Sequence, residues 1–367
     1  MRTRVMPALL CVAGLTAFWP GFMSLAPNRL TGGVPVRLAA CAPAYAIAIA
    51  ACLAVFAISS VFRSRLALAA AIALALAVLM AAGQAATSLL ASAPHAARAQ
   101  LGGGFWLILI VSALAVMDAR AATRLPPWQQ GFAFLCLAAG ACIVAVSGQL
   151  GAVSLAQEYT AHQTAFSAAF TRHVLLVAIT LAGAAAIGIP LGVAAWQKPR
   201  WRPVIFSTLN VIQTLPSIAL FGLLMAPLAR LGLSGIGIVP ACIALILYAL
   251  LPTARAIVSG LDGVPSAPLR AAIGLGLSPL QVFVQLRLPL ASPALLAGLR
   301  VVVVQTVGLA VVAALIGAGG FGDFVFQGLG QYALDLVLLG ALPATALALA
   351  ADAILTQAAA AAGRRAA

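Results

Sequence analysis

Apolar runs at 5–26, 40–62, 66–90, 102–119, 131–150, 174–197, 204–229, 235–259, 294–316 and 334–358 recur along the chain, with short polar connectors between them. A helix needs roughly 20 apolar residues to cross a hydrocarbon core of about 30 Å. The pattern therefore predicts an all-α integral membrane protein with about ten transmembrane helices. The first run follows Arg2 and Arg4 and is interrupted by Pro7 and Pro20. Its length predicts a retained span rather than a cleaved leader.

Composition points the same way. Of 367 residues, 64% are hydrophobic and 7% are charged, against about 25% charged in a soluble domain. The net charge of +14 does not imply nucleic acid, because the basic residues sit singly or in pairs between apolar runs. With the N-terminus inside and the spans alternating, fourteen of them fall on the cytoplasmic side: Arg2, Arg4, Arg63, Arg65, Arg120, Arg124, Lys198, Arg200, Arg202, Arg255, Arg270, Arg287, Arg364 and Arg365. Five fall outside: Arg29, Arg37, Arg98, Arg172 and Arg230. The remaining Arg300 is expected to snorkel from the ninth span to the cytoplasmic face. Such a bias predicts both termini in the cytoplasm. Trp128, Trp196 and Trp201 are placed as interfacial anchors.

The chain divides into residues 1–150, an accessory region of about five spans, an outward-facing polar connector at 151–173, and a second group of spans at 174–360. Polar residues, Gly and Pro concentrate in the last part, which is the candidate working domain. In its 204–229 run, Asn210, Gln213, Thr214 and Ser217 recur at helical spacing, and Pro216 frees a carbonyl about one turn earlier. They read as one face of a translocation path, joined by Gln305 of the ninth span, or as interhelical hydrogen bonding. Gly188 and Gly192 form a small-residue packing seam. The glycine-rich stretch 316–322 has no Lys after it and reads as a turn or re-entrant bend rather than a phosphate cradle.

The long cytoplasmic segment at 260–293 carries the sharpest signal. It predicts a short helix, a turn at Gly276, and a second amphipathic helix ending at Pro289, with Leu280, Phe283, Val284 and Arg287 at a shared pitch. Connections between helices are usually shorter, so this one reads as a docking element for a cytoplasmic partner, or as a surface loop with interfacial helices.

This segment resembles the cytoplasmic coupling loop of ABC importer permeases, which runs Glu-Ala-Ala, then Gly, then a hydrophobic-x-Leu-Pro ending. Ala271, Ala272, Gly276, Leu286, Leu288 and Pro289 match it, and Pro252 and Arg255 also look like the family. Further similarity at 210–221 and 296–322 is that of the osmoprotectant branch, whose members import glycine betaine, choline and related quaternary amines. The resemblance covers about 170–360, and the first five spans resemble an addition found in some permeases of that branch. It implies a permease subunit in a bacterial cytoplasmic (inner) membrane. Its implied partners are an ABC ATPase that binds the ATP, a periplasmic or extracellular substrate-binding protein, and a second permease or a copy of itself. The family's Glu position is Arg270 here, so that contact must differ, or the partner has changed with it.

Other chemistry is weakly supported. Cys11, Cys41, Cys52, Cys136, Cys142 and Cys242 form no C-x-x-C pair, and His95, His162 and His173 have no metal-ligand spacing. With Lys198 the only lysine and no G-x-x-x-x-G-K-[ST], the chain is not expected to hydrolyse ATP, nor is a binding domain expected to be fused to it. An ion-gradient-driven secondary transporter is the alternative. It would call for acids within the membrane, and of the six acids only Asp352 falls clearly inside a run.

Overall fold

The computed structural model describes residues 2–366 except 30, 63, 124 and 125, with the backbone alone at 2–5, 127, 128, 130, 134, 365 and 366. Arg63 and Arg124, counted above for orientation, and the Trp128 side chain lie outside the described residues. The chain forms two compact units, one of residues 1–162 and 331–335, the other of 163–330 and 336–367.

The first unit runs α1 (Arg2–Thr16), β1 (Met23–Ala26), β2 (Val34–Val36), α2 (Leu38–Cys41), α3 (Pro43–Val61), α4 (Arg65–Leu90), β3 (Arg98–Leu101), α5 (Gly103–Thr123), α6 (Pro127–Val146) and α7 (Ser154–Ala161). The strands form an antiparallel sheet in the order β2-β1-β3, with Met23 opposite both Val36 and Leu101. The expected first span is therefore corrected. Its helix stops at Thr16, Pro20 lies in the turn that follows, and Met23–Ala26 is the central strand. An apolar run alone does not distinguish a buried strand from a helix. Phe22, Phe56, Ile49, Leu74 and Ile108 are fully enclosed in this unit's core.

The second unit begins with α8 (Gln163–Gln197), which starts well before the expected residue 174. At 1.5 Å per residue its 35 residues reach about 52 Å, longer than a bilayer core. After a turn at Pro199–Trp201 come α9 (Arg202–Thr214), α10 (Ser217–Arg230), α11 (Ile238–Asp262), α12 (Ser266–Gly274), α13 (Pro279–Val282) and α14 (Leu288–Val312), then α15 (Gly322–Gly330) and α16 (Leu334–Ala366). α8 and α11 approach closely along their small residues. A Cβ at Gly188 would lie 2.9 Å from a Thr253 methyl, and one at Gly192 only 2.7 Å from the Ile257 Cβ. The Gly188–Gly192 seam thus packs inside the chain.

Among the described residues seven helices are long and apolar enough to cross a membrane, or eight if the bent pair α9–α10 is one span, rather than ten. The stretches Met6–Thr16 and Gly131–Val146 are the shorter apolar helices.

Candidate functional site

The expected polar face does not lie on one helix. Pro216 lacks an N–H and holds Leu215 in extended geometry (φ −67°, ψ 133°), which ends α9. α10 leaves at 100° to it. Ser217 therefore opens a new helix and leaves the face of Asn210, Gln213 and Thr214. Two bonds from α11 pin the break. Gln213 Nε2 donates to the Tyr248 carbonyl at 2.9 Å, and the Tyr248 hydroxyl donates to the Leu215 carbonyl. Thr214 bonds back to Val211 in its own helix at 2.7 Å. Asn210 Oδ1 accepts from Arg255 Nη2 at 2.9 Å, and the Arg255 guanidinium lies 5.9 Å from the Phe206 ring centre.

Beside this break is a cavity of about 400 Å³. Gln213 comes from α9, Leu251, Pro252, Arg255, Ala256 and Ser259 from α11, and Gly298, Val301 and Gln305 from α14. Gln213 and Gln305, paired in the sequence only as candidates, line it together. Arg255 and Ser259 are the polar wall residues that polar spacing in the α9 run could not reveal. They sit on α11 one turn apart, with Arg255 one turn after Pro252. The small residue Gly298 lets α14 approach, since a Cβ there would lie 2.2 Å from that of Ala256. No Asp or Glu is among the lining residues.

α11 and α14, the two walls, are joined by the segment expected to dock. α12 forms as predicted, and Gly276 makes the turn with φ +84°, a left-handed conformation that glycine adopts without penalty. Ser278 and Gln281 form a capping box that starts α13. The second helix does not end at Pro289, which is a correction. α13 continues through a π turn at Phe283–Arg287 into α14, giving one helix from Pro279 to Ile316. Pro289 lies in the first turn of α14. Five-residue turn spacing there accommodates the missing N–H without breaking the rod.

The matched residues divide by environment. Ala272 is buried with Leu269 and Val282, and Leu286 packs on them. Ala271 and Arg270 are exposed, and Arg270 Nη1 donates to Ser266 Oγ at 2.8 Å. Leu288 is 41% exposed. Of the residues at one expected pitch, Leu280 and Val284 face outward, while Phe283 and Arg287 turn inward to Trp196. The Phe283 ring centre is 6.0 Å from that of Trp196, and the Arg287 guanidinium 4.8 Å above it. Trp196 is thus gripped by the segment rather than standing as a free anchor, whereas Trp201 is half exposed. Arg202 at the start of α9 meets Asp262 at the end of α11 at 3.0 Å.

The stretch 316–322 is a turn, with Gly317, Gly319 and Gly320 all at positive φ. Arg172 Nε donates to the Ala318 carbonyl at 3.0 Å, and the buried His173 ring lies 5.0 Å from that of Phe321, tilted by 40°. Arg300 does not snorkel free. It pairs with Asp352, the one acid expected inside a span. In the first unit Glu158 pairs with Arg29 at 2.8 Å and Ser154 Oγ donates to Asp335 at 2.6 Å.

Residues 184–364 match the family described as binding-protein-dependent transport system inner membrane component, and residues 1–156 match the N-terminal domain family of the ABC transporter permease YehY. The choline transport system permease protein OpuBB of Bacillus subtilis is 34% identical over 183 residues, covering 50% of this chain and 82% of that protein. The carnitine transport permease protein OpuCB of Listeria monocytogenes is 37% identical over 164 residues, covering 45% and 72%. The osmoprotectant import permease protein OsmW of Salmonella typhimurium is 36% identical over 181 residues, covering 49% and 84%. A solved inward-facing structure of the MetNI methionine ABC transporter is 20% identical with a TM-score of 0.47, covering 54% of this chain and 97% of that one.

Proposed function

The chain belongs to the binding-protein-dependent transport system inner membrane component family, and from that premise we propose that it forms the path for a small osmoprotectant such as glycine betaine, choline or carnitine. The substrate class is drawn from the relatives, which transport choline, carnitine and osmoprotectants by name. ATP is bound by a separate ATPase subunit, and a substrate-binding protein delivers the solute. The permease works paired with itself or with a second permease in the bacterial inner membrane, with both termini in the cytoplasm.

The observation that carries this reading is mechanical. The cavity lies between α11 and α14, and the only chain between those helices is the segment of α12 and α13. A push on that segment reaches both walls at once. The capping box, the small core under Ala272 and the grip on Trp196 make the segment stiff enough to transmit it. A cavity of about 400 Å³ falls at the small end of the roughly 300–1,000 Å³ typical of ligand sites. That size suits a small solute. The wall groups Gln213, Ser259 and Gln305 offer hydrogen bonds, Arg255, bonded to Asn210, is the one charged wall group, and no fixed negative charge is present to trap a cation. Of the acids, Asp352 is already engaged by Arg300, which disfavours a proton relay.

Uptake of labelled glycine betaine, choline and carnitine into proteoliposomes, with the partner ATPase and binding protein supplied, tests the proposal. Uptake should require ATP inside and the binding protein outside. Accumulation driven by a proton gradient without ATP would sink it.

A further inference from the structure

The segment between the cavity walls presents a surface with a composition of its own. α12 and α13 are locked together by Leu269, Ala272 and Val282, with Val264, Leu277 and Leu286 packed against them. Ser278 Oγ accepts from the Gln281 N–H at 3.3 Å, and Gln281 Oε1 accepts from the Ser278 N–H at 2.8 Å. The shape is therefore set before any partner arrives.

What this frame shows to the outside is a set of large apolar side chains, the neutral polar Ser266, Ser278, Gln281 and Gln285, and one cation. Ile273, Leu275, Leu280 and Val284 are 62%, 82%, 71% and 50% exposed. Arg270 precedes Ile273 by three residues on α12, so both share a helical face. Its bond to Ser266 uses one of the five donors a guanidinium carries. No Asp or Glu occurs between Asp262 and Asp323, and Asp262 is engaged by Arg202. The next cation, Arg287, is turned against Trp196. The formal charge of this surface is Arg270 alone.

We propose that this surface seats in an apolar recess of the cytoplasmic ATPase subunit that presents a carboxylate to Arg270. The inference rests on the function proposed above and adds the chemistry of the partner's recess. Covering Ile273 and Leu275 brings the partner against Arg270. A guanidinium desolvated without a counter-charge is strongly disfavoured, and a basic recess would be repelled. The cation thus selects among ATPase subunits by the sign of one residue. A bilayer surface is the competing seat, but one cation gains only about 1 kcal/mol at anionic headgroups. Stable membrane anchoring by charge takes a polybasic cluster, and a rigid knob with a single cation fits a shaped protein recess better.

The test uses the full permease co-expressed with its own ATPase subunit. The complex is purified in detergent by a tag on the permease, and the captured ATPase is quantified beside ATP-driven uptake. Arg270→Lys and Ser266→Ala should keep capture within about twofold. Arg270→Glu should lower it about tenfold or more, and reversing one acidic residue of the ATPase recess to Lys should restore it. Permease levels in the membrane report folding, which an exposed side chain should leave unchanged. If Arg270→Glu keeps wild-type capture while Leu275→Asp loses it, the acidic recess is wrong and the docking surface stands. If both keep capture, the docking reading falls as well. Equal losses from Ser266→Ala and Arg270→Glu would show that Arg270 acts only within its helix. If Arg270→Glu weakens binding to anionic vesicles but not ATPase capture, the surface sits on the membrane.

Discussion

Single side chains here are tuned more by burial than by charge partners. Asp323 opens α15 beside the glycine turn, outside the spans, with Arg172 nearby. Burial pushes its carboxyl above the ordinary range, and the Arg172 charge pulls it partly back. A carboxyl whose folded pKa is raised binds its proton more tightly in the folded state than in the unfolded chain. It adds stability below the ordinary carboxylate range and loses that contribution as pH rises through the raised value. At neutral pH the ionised group is therefore a net cost that an amide would not carry. Asp323→Asn should raise the melting temperature of the detergent-solubilised protein near pH 7, and the gain should shrink as the pH falls towards about 4. A variant that melts lower than wild type at neutral pH would show that the Arg172 interaction outweighs burial.

At the scale of elements, the decisive events are breaks and continuities at proline. Pro216 and Pro289 look alike in the sequence, yet the chain turns by 100° at the first and continues as one helix through the second. The difference is tertiary. At Pro216 the Tyr248 hydroxyl and carbonyl, more than thirty residues away, take up Leu215 and Gln213. At Pro289 a π turn absorbs the missing donor. Tyr248→Phe should leave the Leu215 carbonyl without its donor and destabilise the protein by roughly 1–3 kcal/mol. Thermal unfolding with and without the change measures this, and an unchanged melting temperature would mean the bend is set by Pro216 alone. The same contrast marks the limit of what was legible. Helical spacing located Asn210, Gln213 and Thr214 correctly on α9, and the turn at Gly276 followed from glycine chemistry. The cavity did not, because Arg255, Ser259 and Gly298 meet Gln213 only once three helices pack. Likewise the paired alanines match a motif as equals, but only the fold shows Ala272 inside and Ala271 outside.

For the molecule as a whole, the spans that hydropathy located are the long apolar helices, such as α3, α4, α8 and α11, although α8 extends well before the apolar run that marked it. The three strands escaped it because each is three or four residues long, and β3 reaches β1 only from beyond α4. That small sheet nevertheless bears on orientation. β1 and β2 come from the connector before α3, β3 from the connector between α4 and α5, and Val153 beyond α6 bridges to Ala99 of β3. Connectors gathered into one sheet share one side of the membrane, so the pair α3–α4 leaves that side and returns. The Lys and Arg bias assigns Arg29, Arg37 and Arg98 of these connectors to the outside. The exposed turn at Phe62, between α3 and α4, then faces the cytoplasm. In a background where the native cysteines are replaced, Ser92→Cys should react with a membrane-impermeant maleimide in intact cells, and Phe62→Cys only after permeabilisation. The reverse pattern would invert the topology of the α3–α4 hairpin. Labelling of both sites in intact cells would break the hairpin of α3 and α4 as a membrane-crossing pair.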